Sequence, residues 1–282
     1  MTPRRQSTIW VDRFDRSTSI RAIEAMGGAV ISRLQLAGRT TLLFLEACAQ
    51  LPLVGRSLPT LITQLEISGV GSVLVLSLIA FLTGMIMAVQ TGSELEKFGV
   101  VNNLGAIIGA TFVREMGPIW AAVIMLARVG AAMAAELGTM AVNEEIDALR
   151  VMSISPVRYL VMPRILALVI AMPFLTILAD WVGMLGGMSV AVNMFNRPSE
   201  EFWTSAKGIL SGLDFYSGLG KAAVFGGIIG TIACDRGMNT TDGAEGVGRS
   251  TTDTVVLSVI FVLLADLIMT SFIQVILKPV MG

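Results

Sequence analysis

Residues 70–91 read VGSVLVLSLIAFLTGMIMAVQT, a run of 22 residues that contains no charged side chain. A helix rises about 1.5 Å per residue, so about 20 mostly apolar residues cross a hydrocarbon core about 30 Å thick. This stretch is therefore predicted to span a membrane. The whole chain agrees, because 54% of its 282 residues are apolar and only 15% are charged, against about 25% charged residues in soluble domains.

Further apolar tracts follow along the chain. We place their crossings at about 116–138, 165–192, 219–234 and 255–277. The second tract is too long for one plain crossing, and Arg114-Glu115-Met116-Gly117-Pro118 interrupts it. Because Pro118 has no N–H to donate, we expect a helix to start or bend there. The sequence thus predicts an all-α integral membrane protein with five transmembrane helices and its termini on opposite sides.

The distribution of Lys and Arg predicts the orientation of these crossings. Residues 1–60 carry eight arginines and four acidic residues, and the loop at 139–164 carries three arginines. Both regions are therefore placed in the cytoplasm. The loops at 92–103 and 193–215 contain more acidic than basic residues, so these loops and the C-terminus are placed outside.

The N-terminal region divides into two parts. Residues 1–25 are interpreted as a cytoplasmic extension, and residues 26–282 as the membrane domain. Within 31–60, apolar residues alternate with charged and polar ones, which is typical of an amphipathic helix that lies in the membrane interface.

Ionisable side chains inside a membrane helix cost roughly 2.5–3.5 kcal/mol each, so each requires a partner or a wet cavity. Such residues in the predicted spans and at their ends are Arg114, Glu115, Arg128, Glu136, Asp180, Lys221 and Asp266. We interpret Arg114 and Glu115 as lining a cavity that holds a charged head group; alternatively, an acid there stabilises a helix start. Arg128 and Glu136 are expected to form a polar lock between helices, and Lys221 to lie at the interface.

A short segment between the second and third crossings is predicted to form a helix over 143–152. Asn143 is a suitable N-cap residue, and the residues after it are acidic. Ile146, Leu149 and Met152 repeat at three-residue spacing and form an apolar stripe. This helix is expected either to lie on the underside of the bundle or to dock a cytoplasmic subunit.

Several kinds of chemistry are excluded by composition. The chain has no histidine and only two cysteines, so we expect no catalytic residues, no metal site and no cofactor bound by this chain. The net charge of −1 argues against nucleic-acid binding. Residues 243–250 match the spacing of a phosphate-binding loop, but Arg249 occupies the lysine position and a membrane span precedes the motif.

Two stretches carry a resemblance to a known family. Residues 114–167, REMGPIWAAVIMLARVGAAMAAELGTMAVNEEIDALRVMSISPVRYLVMPRILA, and residues 243–256, GAEGVGRSTTDTVV, resemble the MlaE/YrbE/TGD1 permease family. The resemblance implies the membrane subunit of an ATP-driven lipid transporter in a bacterial inner membrane, working as a homodimer. It also implies five crossings after an interfacial helix, with the N-terminus cytoplasmic and the C-terminus periplasmic.

The resemblance further implies partners and residue roles. The expected partners are an ABC ATPase of the MlaF type, through which ATP and magnesium act, an MCE-domain ring of the MlaD type, and often a STAS-domain protein of the MlaB type. The coupling helix that docks on the ATPase corresponds to Glu144, Glu145, Ile146, Asp147, Leu149 and Met152. The lipid pocket corresponds to Arg114, Glu115 and Lys221, with Met87, Leu95 and Phe98 as its apolar wall.

Two alternatives remain open at the level of sequence. One is an ion- or proton-coupled secondary transporter, in which Glu115, Asp180 and Asp266 relay protons. The other is a membrane scaffold without transport, in which the buried charges are only structural.

Overall fold

The computed structural model describes residues 38–50 and 58–277 of the chain. These residues form helices and connecting turns and include no β-strand, which confirms the predicted all-α class. Contacts divide the chain into residues 1–45 and 46–282. The predicted extension at 1–25 lies outside the described residues. Of the predicted interfacial helix, the described part is helical over 38–49, here called α1.

Five helices are long and apolar enough to cross a membrane, as the sequence predicts. They are α2 (Leu58–Lys97), α3 (Val101–Val142), α5 (Val157–Asn193), α7 (Gly212–Met238) and α8 (Gly243–Val275). Two short helices complete the set: α4 (Glu145–Val151) between α3 and α5, and α6 (Ser199–Ile209) between α5 and α7. Each long helix extends beyond the crossing predicted for it at one end or at both.

The second crossing differs most from its predicted form. We expected a helix to start or bend at Pro118; a start is wrong, because α3 continues through Pro118 over 42 residues, and a bend stays a prediction. The five residues that precede Gly117, Phe112–Met116, form a π-helical turn, and the Gly117 N–H donates to the carbonyl of Phe112, five residues back. In this wider turn the backbone hydrogen bonds are shifted by one residue just where Pro118 has no N–H to donate. The helix can therefore continue through Pro118.

Small residues allow the helices to approach closely, as their spacing predicts. A Cβ atom on Gly183 of α5 would overlap the ring of Phe112 on α3. A Cβ atom on Gly226 of α7 would meet the backbone carbonyl of Leu168 on α5 at 2.7 Å. Helix α5 therefore packs directly against α3 and α7, and it also packs along α2.

The connections also differ from their predicted form. Helix α6 lies in the segment that we interpreted as an outer loop, and its buried Phe202 and Ala206 pack against the first part of α3. Residues 243–250 form the first turns of α8, so this segment is not a phosphate-binding loop.

The five long helices are not equally buried. Within their apolar windows, 67% of the residues of α7 are buried, but only 28% of those of α2 and 17% of those of α8. Helices α2 and α8 therefore present wide apolar faces, such as Leu74, Ile86, Leu267 and Ile268, to the surroundings of the single chain.

Candidate functional site

Arg114 of α3 is held by a carboxylate at the start of α7. Its Nε and Nη2 atoms donate to the two oxygens of Asp214 at 2.8 and 3.0 Å, a bidentate arrangement. Asp214 also forms a capping box with Ser211, which fixes the first turn of α7. Its side chain is 3% exposed. The ion pair therefore joins the π-helical turn of α3 to the N-terminus of α7.

The break in the hydrogen-bond ladder of α3 explains where Lys221 binds. Pro118 cannot donate to the carbonyl of Arg114, so that oxygen remains free for another donor. Lys221 of α7 donates to it at 3.1 Å. One turn earlier on α7, Gly218 lies directly against the carbonyl of Val113. The π-helical turn thus exposes two carbonyls, and α7 approaches both of them.

Lys221 connects three helices through its ammonium group. It donates to Glu115 Oε2 of α3 at 2.7 Å and to Thr270 Oγ1 of α8 at 2.6 Å, besides the Arg114 carbonyl. Its three N–H groups are then all used. Asp266 Oδ1 of α8 lies 2.9 Å from Nζ as an ion-pair contact. Thr270 in turn donates to Glu115 Oε1 at 3.1 Å.

We call Arg114, Glu115, Asp214, Lys221 and Asp266 the charged cluster. All of its members except Asp266 line a small pocket, together with Ser217, Thr270, Ile273 and Gln274, and this pocket has about 10 Å³ of space for the centre of a water molecule. This volume is about that of one water site. The three residues predicted to bind a head group therefore line one pocket, which a single chain leaves too small for a lipid.

The predicted apolar wall lies elsewhere in the single chain. Met87 and Leu95 of α2 pack against a buried group that includes Phe112 and Phe202. Phe98, just after α2, is 77% exposed. None of these three residues lines the pocket beside the charged cluster among the residues that the structure describes. Their role as a lipid wall stays a prediction.

Arg128 and Glu136, which were expected to form a polar lock between helices, each contact a different neighbouring helix. Arg128 Nη1 donates to Ser72 Oγ of α2 at 2.9 Å, whereas Glu136 Oε1 lies 2.7 Å from Arg164 Nη2 of α5. Eight residues along a helix turn the side chains by more than two turns, so each meets a different neighbour. Both residues do connect helices, but not to each other.

Asp180 is separate from the charged cluster. Its side chain lies against Gly117 of α3, where a Cβ atom would overlap Oδ1. Asp180 is 5% exposed, and its Oδ1 has no hydrogen-bond partner among the described residues. The close fit shows why position 117 holds a glycine, and it leaves the carboxylate packed between α3 and α5.

Two members of the site were not identified from the sequence. Asp214 was counted as part of an outer loop, and Thr270 was not singled out. A signal for Asp214 was present, because Ser211-x-x-Asp214 is the spacing of a capping box and marks a helix start. Thr270 carried no such signal, since threonine is common in membrane helices.

Helix α4 has two unlike sides. Glu144, not the predicted Asn143, is the N-cap residue; it has a left-handed backbone (φ 59°) and no side-chain cap. Of the predicted apolar stripe, Ile146 is buried, Leu149 is half-buried and Met152 is exposed. Val151 is 87% exposed. The apolar surface left open on α4 is therefore at its C-terminal end.

Five membrane-length helices with a charged cluster between three of them define an all-α, multi-pass integral membrane protein. Within the described residues no group of three or more acidic or cysteine side chains could hold a metal ion. The family model described as "Permease MlaE" matches residues 61–272. The chain therefore belongs to the MlaE permease family, and it is a permease subunit of the ABC-transporter type.

Individual relatives support this membership. A probable ABC transporter permease protein of Rickettsia typhi is 38% identical over 213 residues, which are 76% of this chain and 82% of that protein. The intermembrane phospholipid transport system permease protein MlaE of Haemophilus influenzae is 32% identical over 253 residues, 89% of this chain and 97% of that protein. The Arabidopsis thaliana protein TRIGALACTOSYLDIACYLGLYCEROL 1, chloroplastic, is 37% identical over 209 residues, which are 74% of this chain and 60% of that protein.

Proposed function

We propose that this chain is the membrane subunit of an ATP-driven transporter that moves phospholipids between a bacterial inner membrane and a carrier protein. The observation that carries the proposal is the charged cluster with its pocket, which places two cations and three carboxylates between membrane helices. Fixed charges of both signs within an apolar bundle suit the polar head of a lipid whose tails need apolar walls. A relative is named as part of a phospholipid transport system, which supports the same substrate class.

The working unit is proposed to be a homodimer. One chain offers only a water-sized space beside the charged cluster, so a lipid chamber needs a second wall. Helix α8, which carries Asp266 and Thr270, also has a wide exposed apolar face. A second copy that covers this face would complete a chamber lined by charged groups on one side and apolar groups on the other.

A movement driven by nucleotide binding in a partner subunit would be passed to this chain through α4. The proposed partner is a separate ABC ATPase, which binds ATP and magnesium and docks on the exposed end of α4. Helix α3 runs from the charged cluster at Arg114 to Val142, two residues before the Glu144 cap of α4. Because α3 is continuous, a displacement of α4 is transmitted along it to the cluster. This end would be cytoplasmic, and an MCE-domain ring would receive or deliver lipid at the opposite end, with a STAS-domain protein as a further partner.

Lipid occupancy of the purified chain tests the proposal. The paired change Arg114→Gln with Asp214→Asn removes both charges of an ion pair and leaves neither partner buried alone. We expect bound phospholipid per chain, measured by native mass spectrometry, to fall about tenfold, the loss of one charge-assisted contact to phosphate.

The matched control is Arg150→Gln with Asp147→Asn. It removes an exposed ion pair of the same kind on α4 and should leave occupancy unchanged. Unchanged occupancy in the Arg114 and Asp214 variant, with the assembly intact, would contradict the head-group assignment. Lipid movement driven by a proton gradient without any ATPase subunit would instead support a secondary transporter.

A further inference from the structure

The charged cluster is not an anion site when its charges are counted. Arg114 and Lys221 supply two positive charges, while Glu115, Asp214 and Asp266 supply three negative ones, so the formal balance is 2 − 3 = −1. In a low-dielectric membrane bundle, this net negative charge interacts strongly with a charged ligand. A head group that carries only negative charge would therefore be repelled by the cluster as a whole.

The deeper cation of the cluster is already used. Lys221 is 3% exposed, and its three N–H groups donate to the Arg114 carbonyl, Glu115 and Thr270. An incoming phosphate would have to displace one of these acceptors and would then face Asp266 at close range. Lys221 thus neutralises carboxylates and is not available to a ligand.

Two neighbouring side chains remain partly open to the pocket. Arg114 is 27% exposed and Glu115 is 29% exposed; they are consecutive residues of the π-helical turn of α3, and both line the pocket. The bidentate contact with Asp214 uses Nε and Nη2 of Arg114 and leaves Nη1 outside that contact. Glu115 Oε1 accepts one hydrogen bond, from Thr270, and has a further lone pair. The open part of the cluster is therefore one donor cation beside one acceptor anion.

From this pairing we infer that the site selects a zwitterionic head group, a phosphate joined to a primary ammonium, as in phosphatidylethanolamine. The phosphate binds Nη1 of Arg114, and the ammonium donates to Glu115. Such a head group is neutral overall, so it does not add to the negative charge of the cluster. A quaternary ammonium has no N–H to donate and fits less well. The inference rests on the proposed function, since it concerns the same site.

The size of the pocket sets where this head group lies. Space for about one water molecule beside the cluster does not admit a phosphate and an ammonium together. The head group is accordingly placed at the mouth of the pocket, where Gln274 is exposed. The partial exposure of Arg114 and Glu115 agrees with contact at the mouth, whereas Lys221 and Asp214 lie beneath it.

The experiment is a competition between lipids for the full-length protein in nanodiscs. Equal amounts of phosphatidylethanolamine, phosphatidylglycerol and N-acetylated phosphatidylethanolamine are supplied, and bound lipid is identified by native mass spectrometry. We expect phosphatidylethanolamine to be enriched about fivefold over each of the others, the effect of one partly exposed charged hydrogen bond. The N-acetylated lipid keeps the phosphate and lacks the ammonium, so it tests the positive charge of the ammonium together with its contact to Glu115, and the Glu115 variant below separates the two.

A variant sharpens the assignment. Glu115→Gln keeps the shape and one acceptor for Lys221 but loses the negative charge, and should reduce the enrichment to about onefold while total bound lipid is retained. Glu94→Gln, on an exposed ion pair with Lys97, is the matched control and should leave the enrichment unchanged. Bound phospholipid without any preference for the ammonium would overturn this inference alone. Absence of bound phospholipid of every kind would overturn the proposed function as well.

Discussion

The charged cluster and helix α4 use the same residue types in opposite ways. In the charged cluster, Arg114 pairs with Asp214 and Lys221 with Glu115 across different helices, and Lys221 is 3% exposed. On α4, Arg150 pairs with Asp147 three residues earlier on the same helix, and both side chains are more than 60% exposed. The ion pairs of the charged cluster join distant parts of the chain, whereas the ion pair on α4 lies within one helix.

The difference follows from the solvent around each region. A charge removed from water needs a partner, and losing that partner costs several kcal/mol. An exposed pair on a helix surface contributes only about 0–1 kcal/mol. The charged cluster therefore fixes the arrangement of α3, α7 and α8, whereas on α4 the side chains that stand out are the apolar, exposed Val151 and Met152. The first region is expected to govern stability, and the second is expected to govern binding of the proposed ATPase.

The largest effect is expected for Lys221→Ala. This change removes the cation in contact with Glu115 and Asp266 and leaves both carboxylates without it between membrane helices. We expect a loss of about 3–5 kcal/mol in the free energy of unfolding, measured by denaturant titration in detergent micelles.

Two further variants check the cause. Lys207→Ala removes an exposed lysine of α6 and should change stability by less than about 0.5 kcal/mol. Lys221→Met combined with Asp266→Asn and Glu115→Gln removes the charges together and should recover much of the loss. If the triple variant is as unstable as Lys221→Ala, charge compensation is not what Lys221 provides.

A smaller effect is expected for Gly218→Ala, which tests the backbone contact beneath the charged cluster. The added methyl group would overlap the carbonyl of Val113, so α7 must move away from the π-helical turn of α3. We expect a loss of about 1–3 kcal/mol by the same titration. Gly220→Ala is the control two residues away, where nothing lies within 4 Å, and should stabilise α7 by about 0.5–1 kcal/mol. Equal effects of the two changes would exclude a close contact at Gly218.

Much of the fold could be predicted because it depends on composition over long windows. Five apolar tracts gave five helices, since each tract must satisfy its own backbone inside the membrane. The continuity of α3 could not be predicted in this way. Whether Pro118 ends a helix depends on the π-helical turn before it and on Lys221, more than 100 residues away, which occupies a freed carbonyl.

The candidate site likewise has residues that the sequence could identify and contacts that it could not. Arg114, Glu115 and Asp266 were conspicuous because each is an ionisable group in an apolar tract. Their partners were not, since the pairing of Arg114 with Asp214 depends on the relative rotation of α3 and α7, which the local pattern does not encode. Helix α6 was missed because its 11 residues are too few and too polar to stand out.

The smallest effect on stability is expected on α4, where the effect on binding should be the largest. Val151 is 87% exposed in the single chain, so Val151→Asp should change the free energy of unfolding by less than about 0.5 kcal/mol. The same change places a charge on the proposed ATPase contact, and we expect the ATPase subunit to be lost from affinity purification of the complex. Ile146→Ala is the contrasting variant on the same helix, because Ile146 is 3% exposed and its truncation should cost about 2–4 kcal/mol. Normal recovery of the ATPase with Val151→Asp would show that the docking surface does not include the exposed end of α4. The charged cluster and α4 could then no longer be assigned to the two ends of one coupled movement.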